Sequence, residues 1–417
     1  MVSPHLIIVG DSTKVARSYL SDHGFDFTTI KDKRLTKFPE KRLKHRVVAD
    51  FSSRQELLHV VDTLHAKKPI HGVLVIYERF IGDASAIAAH LGLPGLPREA
   101  AEACTDKFVM RQKFSAAPQK ISPDFAVITS EEGVRAFAEV HDFPLILKPA
   151  NLSKSLLVSK AVDLEELLQN YAKTMRNINA VYAKYAPGVT PKLLIEEFME
   201  GPVHSVDAFV DANGEPHVLD AVVDYQTGYD IGFDDNFHYS RLLPSALPAE
   251  TIARIRDVAA LGCKALGMKN SPAHIEIILT TDGPRIVEIG ARNGGYRDRM
   301  HGLSNGIDLE ANAIRLSLGQ QPRISATKSE PIGVFELFPK TPGIFTGIAN
   351  EDRLRELPSL VSLSIHAKEG QFVGTSSDGY KMCAVVILHH SNSDQFAKDM
   401  AFLNDQVAVQ TAADTTA

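Results

Sequence analysis

The sequence predicts a chain that is α/β at its start and α+β beyond, with an open parallel sheet first, a larger mixed unit next and a small β-rich region last. Three observations carry this expectation. Up to about residue 104, short apolar runs alternate with helical stretches, the pattern of parallel strands joined by crossover helices. From Thr105 onward, strands of mixed polarity and turn-rich links take over. From Gly333, short strands and turns return, with one late helix over 394–402. At 417 residues the chain has room for two to four domains, and we divide it at 1–104, 105–322 and 323–417.

The elements follow in order. Leu6-Ile7-Ile8-Val9 is an apolar run closed by Gly10-Asp11, and a helical stretch covers 14–23. Strands are expected over 25–30, 46–51 and 72–77, with a helix after Ser52-Ser53. The Gly10 turn lacks a G-x-G-x-x-G fingerprint, so it reads as a strand end and not as a dinucleotide site. A helix over 106–114 precedes strands at 125–128, 143–149, 156–158, 193–199 and 203–210. Residues 250–266 place Ile252, Ile255, Val258, Leu261 and Ala265 at helical spacing and stop at Gly267. A hairpin and a helix over 308–318 complete the middle unit, and the tail beyond 407 reads as disordered.

Composition excludes several classes. A net charge of -6 supplies no basic field for nucleic acid. No apolar run approaches the ~20 residues of a membrane span, and the opening residues lack a signal-peptide pattern. Cys104, Cys263 and Cys383 are odd in number and scattered, which fits a reducing, cytoplasmic setting.

The most informative segment is the hairpin His274 to Leu279 and Ile286 to Ile289. A three-residue loop, Thr281-Asp282-Gly283 with a left-handed glycine, sets Glu276 opposite Glu288. Cross-strand Cβ atoms lie roughly 5 Å apart, so two carboxylates there repel unless a cation joins them. Hard oxygen ligands suit Mg²⁺ held between carboxylates and substrate phosphates. From the residues alone, two solvent-facing glutamates on an edge hairpin are the commoner arrangement. Arg292, Arg297 and Arg299, around Asn293-Gly294-Gly295, add guanidinium groups suited to phosphate or an acyl phosphate, and surface arginines on a loop are the alternative. Lys148 ends an apolar strand, either as a phosphate contact or as a snorkelling end residue. The following loop, Asn151-Leu152-Ser153-Lys154-Ser155, has backbone N–H groups, hydroxyls and an amine that suit phosphates.

Taken in order, these segments resemble the ATP-grasp superfamily, in particular its carboxylate–amine ligase (L-amino acid ligase) and biotin carboxylase-like branch. The resemblance runs from about residue 6 to 386. It rests on Asp106-Lys107, the strand ending at Lys148, Ile195-Glu196-Glu197-Phe198-Met199 with Gly201 and His204, the pair Glu276 and Glu288 with Arg292, and Asn305-Gly306-Ile307-Asp308-Leu309. It implies an N-terminal pre-ATP-grasp domain, a central ATP-grasp domain with a mobile lid over about 120–200, and a C-terminal lobe. It implies that Lys107, Lys148, Ser153, Lys154 and Ser155 meet ATP phosphates. Glu196 would meet the adenine amino group, Glu197, Phe198 and Met199 its hinge, and His204 the ribose. Glu276 and Glu288 would hold Mg²⁺, with Mn²⁺ as its substitute. Arg292 would steady the transferred group, and Arg297 or Arg299 would bind the substrate carboxylate. Two departures stand out: the phosphate loop has no glycine, and Gly290 replaces the usual metal-binding Asn.

The implied activity is phosphorylation of a carboxylate to an acyl phosphate, then its capture by an amine, with amino acids as substrates and a homodimer as the family's assembly. Alternatives are a biotin carboxylase-like or purine-pathway enzyme of the same fold, and a nucleotide-binding sensor without turnover. Asp224, Tyr225, Tyr229 and His238, and the stretch 301–304, are candidates for the specificity pocket.

Overall fold

A computed structural model describes residues 3–35, 45–152, 156–186, 188–235, 237–377 and 379–413, with residues 14 and 15 described through their backbone. The first strand, β1 (His5–Gly10), is buried along its whole length. Both faces of its sheet are covered, so the run is continuously apolar instead of alternating. Helix α1 (Lys14–Asp22), capped by Thr13, leads to β2 (Asp26–Asp32) and β3 (Arg46–Ala49). Helix α2 (Arg54–Lys67), whose first turn is capped by the Ser53 hydroxyl, leads to β4 (Gly72–Val75). The strand order is β3-β2-β1-β4, all parallel, as the alternating pattern predicts.

Gly10 does more than end a strand. Its φ is +90°, and a Cβ there would lie 2.0 Å from the Phe80 ring. Glycine therefore lets that ring close over the end of β1. The contact seats the short turn Glu78–Phe80, and so Glu78, beside the carboxyl ends of the parallel strands.

Helices α3 (Ile81–Leu91), α4 (Arg98–Ala103) and α5 (Lys107–Ser115) lead into a second sheet. It comprises β5 (Phe125–Ile128), β6 (Leu145–Pro149), β7 (Ser159–Ala161) and β8 (Leu193–Glu197), with α6 (Glu131–Ala138) and α7 (Leu164–Tyr185) packed on it. The antiparallel order is β5-β8-β6-β7, around a core that includes Val134, Leu145, Leu147, Leu167 and Ile195. The strand expected at 156–158 is instead a turn, with Leu157 at φ +57°, and the strand falls at β7. A β-branched or leucine side chain at positive φ cannot continue a pleat.

The central sheet has eight strands in the order β13-β12-β9-β10-β11-β14-β18-β16. In chain order these elements are β9 (Val203–Val210), β10 (Pro216–Thr227), β11 (His238–Leu243), α8 (Ala249–Ala265), β12 (Ser271–Thr280), β13 (Gly283–Gly290), α9 (Arg297–Ser304) and α10 (Leu309–Ser317). They are followed by β14 (Ile332–Leu337), β15 (Gly343–Ile348), α11 (Glu351–Arg355), β16 (Leu360–Ile365), β17 (Phe372–Val373), β18 (Ala384–His389), α12 (Ser393–Gln406) and β19 (Val409–Ala412). Helix α8 covers one face of the sheet, over Val206, Ile275, Ile277 and Ile289. Met300 of α9 packs on the other, against Val223, Val334 and Ile387.

Two expectations change here. The C-terminal region forms only part of a sheet apart: β14, β16 and β18 extend the central one through β11, and β15, β17 and β19 make a small sheet of their own. The tail beyond 407 is not free of structure, because β19 pairs with β15 in the sheet β17-β15-β19. Residues 414–417 lie outside the described residues. Among the described residues, no helix is long and apolar enough to cross a membrane.

Helices α9 and α10 are joined through acids. The Glu310 N–H donates to Asp298 at 3.3 Å, and Asp308 caps α10 at the Ala311 N–H, 2.7 Å away. Burial, then the charges of Asp298 and Asp308, push Glu310 from 4.5 up to about 7. The folded chain therefore holds a proton that the unfolded chain has released between these values, and its stability falls as pH rises through that window. Glu310→Gln should flatten this fall by ~2–3 kcal/mol, read from urea midpoints between pH 4.5 and 7.5. An unchanged pH slope would contradict the assignment.

Candidate active site

The two glutamates of the hairpin face each other, but by a different route from the one expected. Thr280 pairs with Gly283, so the loop holds two residues, Thr281 and Asp282. That register alone would set Glu276 opposite Val287. An irregularity between Glu276 and Ile277 leaves Val287 as the extra residue on β13 and restores the pair Glu276–Glu288. The freed Val287 carbonyl accepts from Arg111 Nη2 at 2.9 Å.

Each carboxylate is held by a cation. Lys107, the first residue of α5, contacts Glu288 at 2.8 Å. Burial opposes the charge on Lys107, but Glu288 and Glu78 raise its pKa overall. His274 Nε2 lies 3.7 Å from Glu276, and its Nδ1 is bonded to buried Asp207 at 2.8 Å. Burial alone would raise Glu276, but His274, His238 and Arg297 hold it at about 2. Glu78 reaches the same place from the N-terminal sheet and pairs with Arg292 at 3.3 Å. Burial and the charge of Glu288 raise Glu78, against Arg292 and Lys107.

Behind these groups lies a buried charge cluster. Arg111 is fully buried and meets Glu196 through two nitrogens, at 3.0 and 3.2 Å. Lys148 meets the same carboxylate at 2.7 Å. Burial would raise Glu196, but Arg111 and Lys148 hold it below the usual range. Burial, aided by Arg111 and Lys107, pulls Lys148 down to about 8 despite Glu196. Glu196 therefore faces inward. Glu197 faces outward, on Lys120 at 2.9 Å. The Glu197 and Phe198 N–H groups donate to Asp124 and Pro144 carbonyls, whereas the Met199 N–H has no partner among the described residues. His204 Nδ1 is bonded to Asp224 at 2.9 Å, while its Nε2 and Arg111 Nη1 are buried without a partner among the described residues. Ser153, Lys154 and Ser155 lie outside the described residues.

The arginines separate into three fates. Arg292 is at the site. Arg297 is 1% exposed and is spent on the interior: it donates to Ser205 at 3.0 Å and to the Tyr225 hydroxyl, with Asp207 at 3.6 Å. It braces the wall and is not free to bind a substrate carboxylate. Arg299 is exposed on α9. Gly294 likewise serves packing, because a Cβ there would lie 2.5 Å from His274 Nδ1. Arg241 on β11 lies near the Tyr225 and Tyr296 rings, at 5.7 and 5.4 Å, and is paired with Glu336 at 3.4 Å. His238 packs edge-on against Tyr225, and burial lowers it to about 4. Asp224 is engaged by His204 and the Ala246 N–H, and Tyr229 is 58% exposed. His301 and Ser304 are buried in α9, with His301 3.3 Å from Asp207, so they form wall and not rim.

Sequence reasoning missed Glu78, Arg111 and Arg241. A signal existed for two of them. Glu78 follows a buried parallel strand, where open α/β sheets place ligand groups. Arg111 stands four residues after Lys107, on the same helix face.

Two opposed carboxylates with a lysine on one of them and an arginine nearby form a set of groups whose chemistry suits a divalent cation and phosphate oxygens. Residues 141–298 match the family model described as ATP-grasp domain. The fold matches that of an L-amino acid ligase from Bacillus licheniformis, with a TM-score of 0.78 and 19% identity over 98% of this chain and 99% of that one. In sequence the chain is 26% identical over 311 residues to an uncharacterised protein, y4rH, of Sinorhizobium fredii, covering 74% of this chain and 62% of that protein. It is 29% identical over 231 residues to alanine–anticapsin ligase of Bacillus subtilis, covering 52% of this chain. The match spans 48% of that ligase's length, so the chain aligns with about half of this relative.

Removing one member of the buried cluster should be costly. Glu196→Gln leaves Arg111 and Lys148 facing a neutral amide, and unfolding free energy should fall by ~3–5 kcal/mol in chemical denaturation. The exposed pair of Glu131 with Arg135 is the control, and Glu131→Gln should change it by less than ~1 kcal/mol.

Proposed function

We propose that this chain is an ATP-dependent ligase that phosphorylates a carboxylate and couples it to an amine, with amino acids as substrates. The observation that carries this reading is Glu276 opposite Glu288, with Lys107 on Glu288 and Arg292 beside them. Adjacent carboxylates on rigid strands fit Mg²⁺, which would spread the charge that gathers on phosphate oxygens. The names of the relatives, alanine–anticapsin ligase and D-alanine–D-alanine ligase, support amino acids as the class joined.

The side chains then have distinct tasks. Lys107 and Lys148 exchange their carboxylate partners for phosphate oxygens. The Met199 N–H and the inward face of Glu196 meet the adenine edge, and His204 Nε2 faces the ribose. The substrate carboxylate oxygen attacks the γ-phosphorus, the bond to the β-phosphate oxygen breaks, and ADP leaves. Arg292 holds the resulting acyl phosphate. The amine nitrogen, having shed its proton, attacks the carbonyl carbon, and phosphate departs with the C–O bond electrons. The sheet β5-β8-β6-β7, within a lid of about 120–200, shields the acyl phosphate from water. The domain division 1–104, 105–322 and 323–417, a cytoplasmic setting and a homodimer complete the reading.

Purified protein with ATP and Mg²⁺ should release phosphate only when an amino-acid carboxylate and an amine acceptor are both present. Release with bicarbonate and biotin instead would point to carboxylase chemistry. Glu288→Gln should lower turnover ~100-fold or more while the melting temperature moves by a few degrees at most. Full turnover in that variant would remove the metal assignment.

A further inference from the structure

A second cavity of about 480 Å³ lies outside the candidate active site. It opens where α1 and the turn before β2 meet α10 and the segments on either side of it, and it shares no residue with the candidate active site. Its volume falls in the range of about 300–1,000 Å³ typical of small-molecule sites. Phe25, Ile314 and Leu318 give it an apolar floor.

The two charged kinds of wall differ. At one place stands Asp308, which accepts from the Tyr19 hydroxyl and from the Ala311 N–H. Elsewhere stand Arg315 and Arg323. Arg315 is anchored through Nε to the Gln321 carbonyl at 2.6 Å, which leaves its terminal nitrogens without a partner among the described residues. Arg323 has its backbone clamped in both directions by Asn312, at 2.6 and 2.9 Å, while its guanidinium has no partner among the described residues. A cavity with one acid, two arginines whose donors are open and an apolar floor matches a ligand carrying both charges on an apolar body.

We propose that this cavity binds a small apolar zwitterion, a free amino acid or a short peptide, with its ammonium group at Asp308 and its carboxylate at Arg315 and Arg323. A polyphosphate does not fit, because Asp308 would face its charge. The site goes beyond the ligase reading and does not depend on it.

The test is isothermal titration calorimetry on the full chain, without nucleotide or metal, using L-leucine and L-leucyl-L-leucine as probes. Saturable binding of at least one probe is expected, and comparing the two separates amino acid from peptide. Arg323→Glu, at an exposed position, should weaken binding tenfold or more, and Ala311→Trp should abolish it by filling the cavity. N-acetyl-leucine amide, which carries neither charge, should bind at least tenfold more weakly. Absence of binding by both probes would overturn the proposal. So would binding unchanged in Arg323→Glu, which would place the probe at the active site, or equal binding of the uncharged analogue. Neither result bears on phosphate release, so this proposal and the ligase reading fail separately.

Discussion

The candidate site depends on a single extra residue in one strand. Without the irregularity at Val287, the short loop of the hairpin would turn Glu288 out of line with Glu276, and the pair of carboxylates would not exist. A bulge leaves a backbone carbonyl in need of a donor, and Arg111 supplies it. The same guanidinium grips Glu196. One buried side chain thus joins the glutamate hairpin to β8, so the two halves of the candidate site are positioned relative to each other through a charged, desolvated contact.

The charges of the site are balanced before any ligand enters. Lys107 with Glu288, Arg292 with Glu78 and Lys148 with Glu196 are contacts of 2.7–3.3 Å between groups that are half-buried or buried. Buried charges survive only when paired. On the proposed reading, a phosphate chain with its cation would carry both signs and would replace both members of each pair without leaving either one bare. Glu78 matters in this respect because it comes from a different sheet. Its position, set by the Phe80 ring over Gly10, ties the N-terminal sheet electrostatically to the hairpin.

Much of this was legible from the amino acids. The parallel N-terminal sheet, the helix over 249–265 and the face-to-face glutamates follow from apolar periodicity and hairpin geometry. The glutamate register was reached with a three-residue loop, whereas the structure has a two-residue loop and a bulge that compensate each other. Pattern reading counts residues along a strand and has no means of seeing a local insertion that shifts the count back. The fate of Arg297 was illegible for a different reason. An arginine beside glycines reads as mobile and solvent-facing, and only the folded contacts with Ser205, Tyr225 and Asp207 reveal that it is an interior strut. The stretch at 224–240 carries no strand alternation because it runs from the end of β10 through a short helical turn to the start of β11.

The sharing of one sheet by the middle and C-terminal regions has a bearing on how the chain is made. Strand β11 ends at Leu243, and its neighbour β14 begins only at Ile332. On the ribosome, the edge of β11 must wait for almost ninety further residues to emerge before it finds its partner, and an open edge is where chains stick to one another. The order of synthesis therefore makes the last quarter of the polypeptide a guardian of the part that carries the chemistry, and slow translation across that interval is the moment of greatest exposure.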